Sequence, residues 1–502
     1  MPIAEHVIHL ESGRLAADTP ASSVDRLVGR ALAHGENGIV IHFHGGLVSY
    51  TKGTRTAEAL QGEYLEAGAY PVFFLWESGV VETIVNNLGS ISKEVFFKVS
   101  WKRLSNIVMR KLGQSDSQRA GGVLPPVDDA DVQDAIDRAL DDHDPTALEA
   151  TAPPIDREIA ELSDHEARIL EAELALDFQL SAEIEKVSRG LRTPAEVQAD
   201  AAARSGTVRV STATLMDPAA LDELVDRHDR AERGLLETAM LIRRLVSVAG
   251  GVVKRFITGR DHGFHATIVE ELLRGLYLAN AGGIVWGQMK TDTADAFGGD
   301  VAVHGGDAFL AALNQQLEPA APPRIVLVGH SAGAVFVSEF LAHADEVLPP
   351  EVVFDVVLQA PAATFAKFSE TLTTHRQRIA GFRMFSMDDE REQADQLVPF
   401  LYPHSLLYFV SGVVEGDVDM PLLGMQRFYD TADFPAPEHA DLRAPRQFLG
   451  EADDRTVWSV TADDAPAGHQ SQARKHGAFD DEDPATLASV KHIIRNGFEV
   501  CG

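Results

Sequence analysis

The sequence predicts an α/β fold with a mostly parallel sheet and helices on both faces, interrupted by a large helical insertion. Short apolar runs rich in Val, Ile and Phe alternate with helical stretches, and Gly, Pro or Asp bounds each run. Such runs are typical of buried parallel strands joined by crossover helices. HVIHL, GIVIHFHGG and YPVFFLWESG come before the insertion, and PRIVLVGHSAG, FDVVLQAPA, GFRMFSMDD and RTVWSVTA follow it. We therefore expect residues 1–79 and 284–502 to form one α/β domain and residues 80–283 to form a helical insertion, or cap.

The insertion differs from the rest of the chain in its charge pattern. Residues 114–240 carry 29 acidic and 12 basic side chains, and their apolar residues recur at helical spacing. The flanking stretches 80–113 and 241–260 are basic and apolar instead. The pattern predicts long, solvent-facing acidic helices bracketed by basic, core-facing ones.

Composition excludes several classes of function. The 502 residues include 44 Lys and Arg against 76 Asp and Glu, a formal net charge of −32. A surface this acidic repels phosphate, so we expect no nucleic-acid partner. No apolar stretch approaches the ~20 residues that span a bilayer, and the first residues lack the pattern of a secretory signal. The single cysteine, Cys501, allows no intrachain disulfide. We expect a cytoplasmic protein without stable membrane anchoring.

Gly329-His330-Ser331-Ala332-Gly333 has the form G-x-S-x-G and marks a candidate nucleophile. It follows the apolar run IVLV and precedes the helix-like AVFVSEFLAHA. In that context the serine lies on a sharp turn from strand to helix, which exposes Oγ above the sheet. A side chain at either flanking glycine would collide with neighbouring backbone. The motif predicts that Ser331 is a nucleophile on such an elbow.

A second glycine motif follows an earlier strand. The run GIVIHF continues into His44-Gly45-Gly46-Leu47, which resembles the HGGG-type loop of lipases and esterases. Glycine lets such a loop approach the substrate and present a backbone N–H to a developing oxyanion. We expect the oxyanion hole to use Gly45 and Gly46 together with the N–H of Ala332. Because Leu47 replaces the third glycine, which N–H points inward stays open.

In serine hydrolases whose nucleophile lies on such an elbow, the triad order along the chain is Ser, acid, His, so the general base should come last. His404 and His439 precede the last predicted strand, and His492 lies in a helix-like segment. His469 and His476 lie in the loop after that strand. We favour His476, because the run that follows it resembles the His-Gly-x-Phe runs that close many hydrolase sequences.

The acid that orients the histidine should lie just beyond the run GFRMFSM. The candidates are Asp388, Asp389, Glu390, Glu392 and Asp395. Asp389 ranks first because it lies two residues past the predicted strand end. Asp395 ranks second because its context resembles the D-x-x-V-P that often carries the acid in esterases, and Asp388 ranks third. Most carboxylates in such a loop are solvated surface charge.

Together these motifs resemble the α/β-hydrolase superfamily over roughly residues 5–79 and 284–500. The tracts WESG, SLLYFVSGVVE and PLLGMQRF resemble an uncharacterised bacterial branch of it. The resemblance implies a serine esterase or lipase-like hydrolase that acts on a small-molecule ester through an acyl-enzyme on Ser331. It implies no cofactor, and the histidines show no metal-ligand spacing. Thioesterase, amidase and epoxide hydrolase activities stay open, although the last would require an Asp where Ser331 stands. The substrate and the oligomeric state stay open as well.

Two further alternatives concern the insertion. The chain could instead be an interaction protein whose acidic helices bind a partner on a hydrolase scaffold. Its basic flanks could form a packed cap over the site, or an amphipathic cap that opens at an anionic lipid surface through Phe96, Phe97 and Trp101. We expect an enzyme with a packed cap.

Overall fold

The apolar runs form the strands of one eight-stranded sheet. The strands are β1 (Val7–Glu11), β2 (Arg14–Leu15), β3 (Ile39–Phe43), β4 (Tyr70–Trp76), β5 (Ile325–His330), β6 (Phe354–Gln359), β7 (Ile379–Met387) and β8 (Thr456–Ser459). This computed structural model describes residues 2–34, 36–46, 50–76, 87–114, 130–140, 149–153, 159–190, 215–216, 233–278, 283–399, 401–435, 440–452 and 454–498.

The sheet has the strand order β2-β1-β4-β3-β5-β6-β7-β8. Every neighbouring pair is parallel except β1 and β2. In the centre, Ile39 of β3 pairs with Tyr70 of β4 on one side and with Ile325 of β5 on the other. The prediction of a mostly parallel α/β sheet is confirmed.

Helices occupy the connections and the insertion. They are α1 (Ala21–His34), α2 (Tyr50–Glu66), α3 (Val95–Leu112), α4 (Ala130–Leu140), α5 (Asp164–Ala175), α6 (Phe178–Gly190), α7 (Arg233–Thr258), α8 (Phe264–Leu272), α9 (Gly283–Asp295), α10 (Gly305–Gln316), α11 (Gly333–Val347), α12 (Phe365–His375), α13 (Asp389–Ala394), α14 (Leu406–Phe409), α15 (Ala440–Gly450), α16 (Ala478–Asp481) and α17 (Pro484–Asn496). The first boundary predicted for the insertion, between residues 79 and 80, lies outside the described residues, and the second, between residues 283 and 284, falls at the start of α9. The division into domains stays a prediction.

Alternation along the strands gives the sheet two apolar faces. Ile41 and Leu327 belong to the core that contains α1, α10, α11 and α12, whereas Val40 and Val328 belong to a second core with α2 and α17. Successive side chains of a strand point to opposite faces, so one period-two pattern supplies both cores.

The insertion packs through the aromatic residues of α3. Phe96, Phe97 and Trp101 are each no more than 2% exposed. They belong to the same apolar core as α11 on the sheet. The three rings are therefore buried within the protein, as the packed alternative predicts. Within the described residues, no helix combines the length and apolar character needed to cross a bilayer.

The basic side chains of α3 face acidic side chains of the insertion. The pairs are Lys102 with Asp137, Arg103 with Asp177, Arg110 with Glu173, and Lys111 with Glu166. Most of these pairs are partly solvated and contribute little stability individually.

The pair of Lys111 and Glu166 is buried. Its Nζ–Oε1 distance is 2.8 Å, and both side chains are 4% exposed. Glu166 also forms a capping box with Ser163 at the start of α5. Burial would raise the pKa of Glu166, but the hydrogen bonds from Lys111 and Ser163 reverse this effect and lower the pKa to about 2. The ionised pair therefore ties α5 to α3.

Replacing Glu166 with Gln should lower the free energy of unfolding at pH 7 by about 3 kcal/mol, because it leaves Lys111 buried without a counter-charge. Gln preserves the capping box, so the variant isolates the ion pair. The pKa of Glu166 is depressed in the fold, so the difference from wild type should shrink as the pH falls from about 4.5 towards about 2. Urea unfolding of both proteins across this pH range measures the difference in the free energy of unfolding.

Glu173→Gln is the matched control. Glu173 pairs with Arg110 at 2.8 Å but is 44% exposed, so its replacement should cost less than about 1 kcal/mol. Equal effects of the two substitutions would show that burial does not distinguish these pairs.

Candidate active site

The chain reverses direction across the sheet between β3 and β5. From β3 it passes through α2 to β4 on one side, and β5 then joins β3 on the other side. The helices that follow β3 and β5 pack on opposite faces of the sheet. Such a switch point opens a crevice at the carboxyl ends of the strands, where ligands of open α/β sheets bind. The predicted oxyanion loop and nucleophile both begin there.

Ser331 occupies the turn between β5 and α11. Its backbone has φ of 52°, in the left-handed region, which is uncommon for a residue with a side chain. Its N–H donates to the carbonyl of Gln359 at 2.8 Å, and its own carbonyl accepts from the N–H of Ala362 at 3.0 Å. These bonds to the neighbouring strand and its loop fix the turn. Strain held in this way is common at functional sites.

The two glycines of the motif are required by close packing. A Cβ on Gly333 would lie 2.2 Å from the carbonyl oxygen of Phe43, the last residue of β3. A Cβ on Gly329 would lie 2.9 Å from the backbone of Gly333 and from the side chain of Val337. Any larger residue would push α11 away from the strands. The turn therefore has the tightness expected from the motif.

The glycines of the second motif contact this turn. A Cβ on Gly45 would lie 2.9 Å from Nδ1 of His330 and 3.3 Å from Cβ of Ser331. A Cβ on Gly46 would lie 2.7 Å from Cβ of Ala332. The structure therefore brings Gly45 and Gly46 beside Ser331 and Ala332. Leu47 lies outside the described residues.

His44 fixes the start of this loop. Its Nε2 accepts from the backbone N–H of Trp76 at 3.2 Å, so its proton is on Nδ1, which donates to the carbonyl of Gly45 at 2.6 Å. The imidazole also stacks on the Trp76 ring, with 4.2 Å between centroids. Burial lowers the pKa of His44 to about 4. The neutral ring therefore orients the peptide between Gly45 and Gly46.

His476 lies next to the nucleophile turn. It is 6% exposed, and its ring centroid is 5.3 Å from that of His330. Its carbonyl accepts from Nε2 of His330 at 3.1 Å. Neither ring nitrogen forms a hydrogen bond with a described residue. Burial, followed by the charge of His330, holds the pKa of His476 well below its ordinary value. The ring is therefore neutral.

Among the candidate acids, Asp395 contacts the segment that carries His476. One oxygen of its carboxylate accepts from the backbone N–H of His476 at 2.8 Å. Its other oxygen accepts no hydrogen bond from the part of the chain described. Burial raises the pKa of Asp395, and the N–H of His476 opposes that shift. Of the candidate acids, Asp395 is therefore the one whose carboxylate can accept a hydrogen bond from a donor of His476.

Asp389, ranked first from the sequence, has other partners. It accepts from the hydroxyl of Tyr408 at 2.6 Å and from the amide of Gln393 at 2.7 Å. No hydrogen bond or ion pair links it to His476 in the described structure. Asp388 caps α13 by accepting from the N–H of Arg391. The contacts with Gln393 and Arg391 lie within α13, whereas Tyr408 belongs to α14.

The remaining candidates are also accounted for. The buried Glu392 accepts from the hydroxyl of Ser405, and Glu390 is exposed. His469 contacts the carbonyl of Ala467, whereas His492 lies in α17. His439 lies outside the described residues.

A buried cluster that the sequence analysis did not identify lies behind Ser331. Asp480, in α16, has one oxygen 3.0 Å from Nε2 of His42 and the other 3.4 Å from Nδ1 of His330. His42 and His330 continue the alternation of Val40 and Val328 on the face of α2 and α17. This period-two pattern, which places two histidines on the inner face of neighbouring strands, is the sequence signal that could have revealed the cluster.

A cavity of about 770 Å³ lies between the insertion and the segment after β7. Its wall includes Asp389, Ala394, Gln396 and Tyr408 from that segment, and His265 from α8. Two of these residues flank Asp395 in the chain, so the cavity adjoins the candidate acid. Its volume is in the range of small-molecule sites. Ser331 and His476 do not line it.

The crevice therefore combines a strained serine, close glycine backbone and a buried neutral imidazole. This set of groups can carry out nucleophilic acyl transfer. Comparison of the chain with protein-family models, curated proteins and solved structures finds no match in any of the three.

Proposed function

We propose that this protein is a serine hydrolase of the α/β-hydrolase type that cleaves carboxylic esters through an acyl-enzyme on Ser331. The observation that carries the proposal is the left-handed turn at Ser331, with Gly45 and Gly46 packed against it. A structural serine does not require a strained turn at the carboxyl end of a central strand. In a nucleophile elbow that turn raises Oγ towards the substrate.

The oxyanion hole would use the N–H of Ala332 and one N–H of the Gly45–Gly46 loop. Ala332 follows the nucleophile at the start of α11, where backbone N–H groups are free of helical partners. The helix N-terminus adds a favourable field for negative charge. Donors fixed by close backbone packing need no reorganisation when charge develops.

His476 would serve as the base and Asp395 as the orienting acid. The bond from the N–H of His476 to one carboxylate oxygen leaves the other oxygen for Nδ1–H of the same residue. Neither ring nitrogen has a hydrogen-bond partner among the residues that the structure describes, so the ring must turn towards Ser331 and Asp395 for reaction. Catalytic hydrogen bonds often tighten only in the substrate complex.

In the reaction, Oγ of Ser331 attacks the ester carbonyl carbon as its proton passes to Nε2 of His476. The oxyanion accepts from the N–H groups of the hole, and the C–O bond to the alcohol breaks as His476 returns the proton to the leaving oxygen. Water then attacks the acyl-enzyme, with His476 again taking and returning a proton, and releases the acid and free Ser331.

A fluorophosphonate probe should label Ser331, because Oγ displaces fluoride at phosphorus by the same attack. Mass spectrometry would locate the adduct, and Ser331→Ala should abolish both labelling and hydrolysis of p-nitrophenyl esters. The matched control is Ser338→Ala in α11, the helix after the turn, since among the described residues its hydroxyl donates only to the carbonyl of Ala334. Labelling that survives Ser331→Ala would refute the assignment.

The contacts of Asp395 and Asp389 also predict which of the two carboxylates orients His476. Asp395→Asn should lower kcat by about 10⁴-fold, as expected when a triad carboxylate becomes an amide. Asp389→Asn should change kcat only a few-fold, because its partners are Tyr408 and Gln393. Steady-state ester hydrolysis compares the two variants. If Asp389→Asn lowered kcat more than Asp395→Asn, Asp389 would be the orienting acid, as ranked from the sequence.

The buried aromatic residues of α3 predict that lipid does not open the insertion. Anionic vesicles should neither stimulate ester hydrolysis nor co-sediment the protein, because Phe96, Phe97 and Trp101 are within the core. Activity measured with and without vesicles tests this, and salt-sensitive stimulation would favour the lipid-operated cap.

One observation favours the alternative of an interaction protein. Leu176 and Phe178, at the junction of α5 and α6, are 86% and 88% exposed. Exposed apolar side chains on an acidic insertion suit contact with a partner. The probe experiment separates the two functions, since a scaffold without catalysis leaves Ser331 unlabelled.

A further inference from the structure

The cluster of His42, His330 and Asp480 has no part in the chemistry described above. All three side chains are at most 8% exposed. A buried carboxylate is costly unless charge and hydrogen bonds compensate it. The protonation of its two imidazole neighbours therefore decides what the cluster does.

His330 has acceptors at both ring nitrogens. Nδ1 faces the carboxylate of Asp480 at 3.4 Å, and Nε2 faces the carbonyl oxygen of His476 at 3.1 Å. A carbonyl can only accept, so Nε2 carries a proton, and the carboxylate 3.4 Å from Nδ1 favours a second proton there. The geometry therefore favours the imidazolium form of His330.

His42 lies on the other side of the carboxylate. Its Nε2 is 3.0 Å from Asp480, and its Nδ1 is 3.0 Å from the hydroxyl of Tyr64. The buried carboxylate of Asp480 therefore lies between two imidazoles, which compensate the cost of burying it.

The pKa shifts of His330 and Asp480 have the directions expected of an ion pair. Burial alone would lower the pKa of His330, but Asp480 reverses the effect and raises it. Burial would raise the pKa of Asp480, but His42 and His330 outweigh it and hold it well below its ordinary value.

The cluster links the two segments that carry the proposed nucleophile and base. His330 immediately precedes Ser331, and Asp480 follows His476 by four residues. Two contacts of His330, to Asp480 and to the carbonyl of His476, therefore join β5 to the loop of the base. Gln359 adds a third link by donating to the carbonyl of Phe479 at 2.6 Å.

We propose, building on the function proposed above, that His330 and Asp480 are positioning residues. The imidazolium of His330, held by Asp480, fixes the loop of His476 against the turn of Ser331 and keeps the base unprotonated.

The effect of His330 on the protonation of His476 follows from the short distance between their two rings. A positive charge 5.3 Å from the centroid of His476 disfavours a second one there. The titratable groups around His476 and His330 are His42 on β3, His44 after it, Tyr64 on α2, Asp395 after α13, Lys475 in the loop, and Asp480 and Asp481 on α16. Of these charges, Asp480 opposes the effect of His330 on His476 without cancelling it.

Two substitutions separate the effect of the position of the His476 loop from the effect of the charge on His330. His330→Gln retains a donor near the carbonyl of His476 but removes the positive charge. It should move the acid limb of the kcat/KM pH profile upward by about one unit, because the pKa of His476 rises. Asp480→Asn removes the anchor of the ring and should lower kcat/KM about 10²-fold at the pH optimum, as expected for a displaced base. The control, His375→Gln, alters an imidazole 3.0 Å from Asp345 on another part of the molecule and should change neither.

A second measurement does not depend on catalysis. With histidine labelled at ¹³Cε1, the NMR signal of His330, identified by its loss in His330→Gln, should titrate above the ordinary histidine value in the wild type. In Asp480→Asn the effect of burial is no longer offset by the carboxylate, so the signal should titrate below the ordinary histidine value of about 6.5. A wild-type signal that titrates near 6.5, or an unchanged acid limb in His330→Gln, would overturn the inference while leaving the hydrolase intact. Absence of probe labelling in the wild type would instead refute the proposed function.

Discussion

The approach of α11 to the end of β3 is the constraint on which the candidate site depends. Gly333 lies against the carbonyl of Phe43 so closely that a Cβ would be 2.2 Å from the oxygen. This contact brings the helix N-terminus over the strand end and forces the turn at Ser331 into the left-handed region. The loop after β3 must then pass beside the same turn, which explains why Gly45 and Gly46 also lack room for a side chain.

The same reversal of strand order determines where the other groups can come from. Because α2 and α11 leave the sheet on opposite faces, the crevice between β3 and β5 is open to the segments that follow β7 and β8. Asp395 and His476 both belong to those segments, and their contact joins residues 81 positions apart. The insertion shares the core of the α11 face, so its packing is continuous with that of the helix behind Ser331.

The parts of the site that could be predicted from the sequence are those fixed locally. The strand, the two glycines around Ser331 and the following helix lie within one short stretch, so their physical requirements are visible in the residue types. The pairing of acid and histidine is not local. A helical turn, α13, separates Asp389 from Asp395 and returns the chain towards His476, and no pattern in five closely spaced acidic candidates indicates which one will face it.

Asp480 was harder to recognise for a different reason. It follows the candidate base within an acidic stretch, where a carboxylate ordinarily faces water, and only the fold places it between His42 and His330. The two histidines carried a readable signal, since each continues the inward alternation of its strand where an apolar residue is expected. Two polar residues at core positions of adjacent strands require a buried partner of opposite charge or matching hydrogen-bonding capacity. A carboxylate satisfies both requirements, and an apolar residue there would leave Nδ1 of His330 and Nε2 of His42 facing no polar group of residue 480. The buried ionic cluster therefore follows from the histidines that the strands carry beside the nucleophile turn.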